Sequence, residues 1–221
     1  MIVLGGSSRQ SLATLRIELD SALKGVAADQ ASAIANDLFA ALVAIDSSTG
    51  LRRALTDSAR DAASKAELVS DLFKSSLGAP ALSLLGKAAG LRWSSPSGIG
   101  DAVEQIAVEA EAAAANLSES LDRVQSEIFL FSKLLVENPD LRIALSDRSQ
   151  SPASKQELLK SIFGGKFSSS TSALISHCVE ARRVRSIEKT IAAYTHAVTA
   201  RRNRVNAHIK SSIALSDGQA K

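Results

Sequence analysis

Cysteine occurs once in the 221 residues, at Cys178, so no intrachain disulfide can form and a reducing compartment is the simplest setting. Aromatic residues make up only 4% of the chain, with one Trp and one Tyr, while Ala, Leu and Ser abound, a mix that favours helix over sheet. Long hydrophobic runs are missing as well. The opening MIVLGGSSRQ has four consecutive apolar side chains, too few for a signal-peptide core, and no later run approaches a bilayer span. These shortages point to a non-exported, non-spanning helical protein.

Catalytic and cofactor signatures are equally sparse. Gly164-Gly165-Lys166 lacks the earlier glycine and the following Ser/Thr of a phosphate loop, and Gly98-Ile99-Gly100 lacks the third glycine of a dinucleotide fingerprint. His177 adjoins Cys178, but His196 and His208 stand in other segments without ligand spacing, so no metal site is expected. Cys178 reads as a core residue with His177 as its polar neighbour. No Gly-x-Ser-x-Gly elbow occurs. The expectation is a chain with no active site, no cofactor and no metal.

What the chain does have is an internal repeat. Residues 51–73, LRRALTDSARDAASKAELVSDLF, and 141–163, LRIALSDRSQSPASKQELLKSIF, are identical at eleven of twenty-three positions, ninety residues apart. Composition alone would give about two or three matches. Weaker agreement continues upstream (Leu38/Ile128, Phe39/Phe129, Ile45/Leu135) and downstream (Leu84/Leu174, Leu85/Ile175, Arg92/Arg182). The duplicated unit is therefore about ninety residues of helix.

Apolar spacing of three and four predicts helices over 8–24 (Leu12, Leu15, Leu19, Ala22, Leu23) and 28–45 (Ile34, Leu38, Leu42, Ile45). Gly50 breaks the pattern, and a short segment 51–55 leads to a loop at 56–61. Asp61 and Ser151 are matching candidate N-caps, the second followed by Pro152. Ser64-x-x-Glu67 and Ser154-x-x-Glu157 also fit a capping box, which would start each helix three residues later. Residues 92–100 (RWSSPSGIG) read as a linker, and 101–137 as one long helix or two joined near Asn116. A last helix is expected from after Arg185 to about Arg202 (Ile187, Ile191, Tyr194, Val198). Val205, Ala207, Ile209 and Ile213 then alternate as in a strand. The reading is mainly α: a first helical unit at 1–100, a long connecting helix and second unit at 101–204, and the first strand of a small β-containing domain at 205–221.

Charge is uneven along the chain. Residues 1–110 carry 10 basic and 12 acidic groups, and 111–221 carry 16 and 11. From Arg182 to Lys210 eight basic residues meet one acid, Glu188. A helical-repeat nucleic-acid binder using 182–210 is one reading of that stretch. Tyr194 is its only stacking group, and a solvated helix face is the plainer account.

These residues resemble the delta subunit of the F-type rotary ATP synthase, the bacterial relative of the mitochondrial oligomycin-sensitivity-conferring protein. The resemblance rests on SRQSLATLRIELD (8–20), the segment 51–73, RWSSPSGIGDAVEQIAVEA (92–110), EIFLFSKLLVENPDLRIALSD (127–147), GGK (164–166) and RRNRVNAHIKSSIALSDGQAK (201–221). They are similar to the long form of high-GC Gram-positive bacteria, whose helical domain is duplicated. The resemblance implies a non-catalytic stator on the cytoplasmic face of the cell membrane, peripheral to it. It would link the catalytic hexamer, through alpha-subunit N-terminal segments, to the b-subunit stalk, touching the membrane only through the complex and binding no nucleic acid.

In that family an alpha-subunit helix lies between the first and fifth helices of the bundle. The fifth-helix positions here are 82–89 and 174–179. The implied contact residues are Leu82, Leu85, Leu174, Ile175 and Cys178, and the duplication implies two similar partner grooves. The family continues through a small β-containing domain after the equivalent of Ala214 to Gln219, which the alternating residues from Val205 would open.

Overall fold

Both copies of the repeat start a helix at the same register, and the side chains responsible are visible. Asp61 accepts from the Ser64 amide at 2.8 Å, and Ser151 from the Ser154 amide at 3.1 Å. Each satisfies a backbone donor that the first helical turn leaves unpaired. The capping-box start three residues later is therefore not used. Asp57 and Asp147 repeat as well, each turning the preceding loop by accepting from the amide two residues on, at 2.9 and 2.8 Å. At the far end the copies diverge. Gly164 terminates the second helix in a left-handed conformation (φ 51°), where the first copy has Lys74 in ordinary helical geometry.

The computed structural model describes residues 5–147, 149–180 and 186–202. Among these are eleven helices and no strand: α1 (Gly6–Ala22), α2 (Ala28–Ser47), α3 (Thr49–Thr56), α4 (Ala62–Phe73), α5 (Ala79–Gly90), α6 (Gly98–Leu117), α7 (Leu121–Glu137), α8 (Pro139–Ser146), α9 (Pro152–Phe163), α10 (Ser169–Glu180) and α11 (Ile187–Arg202). Adding ninety carries α2 to α5 onto α7 to α10. The same shift carries α1 approximately onto α6, and α6 approximately onto α11. The strand expected from Val205 lies outside the described residues.

The stretch expected to connect the two units is instead the centre of the molecule. Every residue of α6 from Gly98 to Ala115 is buried except Asp101, which is half-buried. It packs against α1, α2 and α5 of the first unit and against α7, α10 and α11 of the second. α6 thus serves as the last helix of one unit and the first of the next. Its entry loop is fastened to α1, because Ser11 donates to the Arg92 carbonyl at 2.6 Å and Ser8 accepts from the Ser94 amide at 2.9 Å.

One continuous helix over 101–137 does not form. The chain breaks at 118–120, the alternative of two helices joined near Asn116. Glu119 there adopts φ 55°, a conformation costing a non-glycine residue about 1 kcal/mol or more. The Ser118 and Ser120 hydroxyls reach back to the Ala115 carbonyl at 3.2 Å and occupy an acceptor freed by the break.

A further element recurs at ninety residues that the sequence comparison does not single out. Asp37 on α2 accepts from the Gly78 amide at 2.8 Å, at the start of α5. Glu127 on α7 accepts from the Ser168 amide at 2.9 Å and its hydroxyl at 2.7 Å, at the start of α10. An acid on the second helix of each unit therefore holds the N-terminus of the fifth, where the helix dipole favours negative charge. Burial pushes the Glu127 carboxyl up. The hydrogen bonds from Thr171, Ser168 and Arg123 outweigh that and hold it at about 2, below its ordinary 4.5. Its contribution to stability is full above pH 4.5 and is lost as pH falls through about 2. Glu127→Gln is expected to cost about 2 kcal/mol at neutral pH and to flatten the acid limb below pH 4.5, measured by denaturant unfolding across pH.

Candidate partner groove

α4 and α5 approach closely because small residues face each other between them. A Cβ on Gly90 would sit 3.2 Å from the Ala62 Cβ, and one on Gly86 would sit 3.7 Å from that of Ala66. This close pair, with the C-terminal half of α1, encloses a groove of about 1050 Å³ in the first unit. Its floor is apolar, with Ala62, Ala66 and Leu82 among its walls. The rim carries an ion pair from α5 to α1, Lys87 Nζ to Glu18 Oε1 at 2.9 Å. Ser21 on α1 also lines it. The groove offers apolar depth flanked by charge, which suits an amphipathic helix.

The corresponding place in the second unit is built differently. Gly86 and Gly90 are replaced by Ser176 and Glu180, which hydrogen-bond to Gln156. A smaller cavity of about 400 Å³ remains between α9 and α10. The other side, between α6 and α10, is filled. Phe39 of α2 stacks on His177 of α10 with ring centroids 3.9 Å apart, and Ser32 of α2 donates to Glu111 of α6 at 2.8 Å. Ninety positions earlier, His177 and Glu111 correspond to Lys87 and Ser21, both on the wall of the open groove. The two similar grooves implied by the duplication are thus one open and one closed by the molecule's own second helix.

Of the five expected contact residues, Leu82 is half-buried and lines the open groove. Leu85, Leu174 and Ile175 are at most 1% exposed, and Cys178 is 5% exposed with its thiol 3.9 Å from the Ile187 carbonyl. These four lie in the core behind the groove walls. Sequence reasoning placed Lys87 within the fifth-helix range 82–89 without singling it out, and missed Glu18 and Ser21, whose polar side chains carry no apolar periodicity; their exchange for Val108 and Glu111 ninety residues on was the available signal. Of the basic stretch 182–210, the described part is 186–202, where Arg201 is engaged by Asp20 and Glu188 pairs with Arg142 at 3.5 Å. Among the described residues no group of His, Cys, Asp and Glu is placed to hold a metal, and no helix is long and apolar enough to cross a membrane.

The covered face of α2 has an uncovered twin. Ala35, Phe39 and Leu42 are buried, whereas Gln125 and Ser132 of α7 are only half-buried and Phe129 is 69% exposed. The junction against α2 also sets a titration. Burial lowers His177 from its ordinary 6.5 to about 4, so the folded chain keeps the imidazole neutral. Stability from this group is full above pH 6.5 and is lost as pH falls towards 4. His177→Phe, which keeps the stack, is expected to remove a slope of up to about 1.4 kcal/mol per pH unit in that window, read as the difference between the two unfolding curves. Phe39→Ala should cost about 3 to 5 kcal/mol in the same assay.

Comparison with known proteins gives one consistent result. The family described as ATP synthase delta (OSCP) subunit matches residues 108–221, beginning inside α6 and leaving the first unit outside the match. The ATP synthase subunit delta of Streptomyces avermitilis is 36% identical over 214 residues, covering 97% of this chain and 78% of that protein. The same subunit from Streptomyces coelicolor is 35% identical, with 97% and 78% covered, and that from Kineococcus radiotolerans 35%, with 97% and 77%. With the second unit carrying the family match and the relatives running through both, the chain belongs to the ATP synthase delta (OSCP) subunit family.

Proposed function

We propose that this chain is a non-catalytic stator whose first unit grips an N-terminal helix of the alpha subunit, and whose remainder engages the b-subunit stalk on the cytoplasmic face. Family membership makes it a peripheral-stalk subunit of the ATP synthase, a membrane-associated complex, in association with other subunits of that complex. The observation that carries the alpha assignment is the open groove between α1, α4 and α5, with its apolar floor and charged rim. Such a site takes an amphipathic helix by burying one face while the rim fixes its register.

The stator role asks for stiffness under torque rather than chemistry, and the buried central helix supports it. Bending the two units apart would have to expose α6, whose residues from Ala102 to Ala115 are all buried. A loosely linked pair of bundles would lack that resistance.

With a peptide of the alpha N-terminal segment at saturation, amide exchange is expected to slow in α1 and over residues 79–91, and to be unchanged over 169–180. Leu82→Asp should weaken binding at least about tenfold, measured by calorimetry. Absence of protection in α1 and α5 would overturn the alpha assignment.

A further inference from the structure

α2 shows, inside the molecule, how a helix sits in this kind of groove. Among its contacts with the second unit are Ser32 to Glu111 and Phe39 to His177, seven residues or about 10 Å of helix apart. The direction is fixed too. Ser32 lies level with Glu111, while Phe39 lies near Tyr194, its ring centroid 6.4 Å away, and Tyr194 bonds Glu104 at 3.2 Å. Rising sequence number on α2 thus meets falling number on α6, and the two run antiparallel.

The counterparts of the contacted residues, Ser21 and Lys87, stand on the wall of the open groove. We propose that the open groove receives its helix in the pose α2 adopts: antiparallel to α1, with a small or hydroxyl residue at Ser21 and an aromatic or bulky apolar side chain two turns later against Lys87. This rests on the reading that the groove holds a helix of the alpha subunit. The chemistry fits the place. Lys87 is held by Glu18 at 2.9 Å, which fixes its methylene stem and presents a cation to a ring, where the second unit has a flat imidazole. α2 of a second copy is not the occupant, because the face that would enter is already buried in its own chain.

The pose orients the partner end to end. Ser21 and Ala22 lie at the C-terminal end of α1, whereas Ser11, bonded to the Arg92 carbonyl, marks the opposite end beside Leu91. In the full chain, a synthetic peptide of the alpha N-terminal segment is given a nitroxide at either terminus, and amide broadening is recorded. The N-terminal label is expected to broaden Ser21 and Ala22, and the C-terminal label Ser11 and Leu91. The reverse pattern would overturn the pose and leave the alpha assignment standing. Binding with no broadening on α1 or α5, or no binding at all, would overturn both. Lys87→His, which copies the second unit, is expected to bind within about threefold of the parent or tighter, and a loss of tenfold or more would overturn the stacked contact.

Discussion

The fold depends on one helix having no exposed face. From Ala102 to Ala115 α6 is buried all round, so each polar side chain in that stretch must be matched from a neighbour. Glu109, 1% exposed, takes the Arg16 guanidinium at 2.6 Å and the Gln105 amide at 3.1 Å. Glu111 is met by Ser32 and Glu104 by Tyr194, at 2.8 and 3.2 Å. Those partners come from α1, α2 and α11, so satisfying α6 fixes the positions of both units together. The Ala-rich composition of 107–115 follows from the same demand, since small side chains let helices approach from every side.

The helical architecture was largely legible in the sequence. The predicted stripes Leu12, Leu15, Leu19 and Ile34, Leu38, Leu42, Ile45 are buried as expected, and Asp61 and Ser151 cap their helices. What periodicity could not tell was which of two identical residues would be covered. Phe39 and Phe129 occupy the same repeat position, yet one is 3% and the other 69% exposed. That difference is set by what packs outside the unit, and a pattern within the unit does not carry it. The role of α6 escaped for a related reason. An Ala-rich run interrupted by Glu109 and Glu111 has high helix propensity and carries acids of the kind expected on a solvated face, so it reads as a connector.

The divergence of the grooves, by contrast, was written in the repeat at positions that are easy to pass over. Between the copies, Glu18 becomes Val108, Ser21 becomes Glu111 and Lys87 becomes His177. A charged, water-facing rim is exchanged for a valine, a hydrogen-bonding acid and a neutral ring. Gly86 and Gly90 give way to Ser176 and Glu180, which remake the α9 to α10 wall with hydrogen bonds to Gln156. Each exchange suits a wall that is permanently occupied. The aromatic content follows as well, since the second unit fills its own core with Phe131 against Phe163, ring centroids 5.9 Å apart, where the first has Ala41.

Closing the second groove with α2 has a consequence in mass action. An occupant belonging to the same chain stands beside its seat at an effective concentration on the order of millimolar or above. A free helix from another subunit would have to outcompete it on those terms and would also expose the Phe39 ring on leaving. Duplication has therefore braced the molecule without doubling the open grooves, so that on the function proposed above each copy of the subunit would capture one helix at this kind of seat.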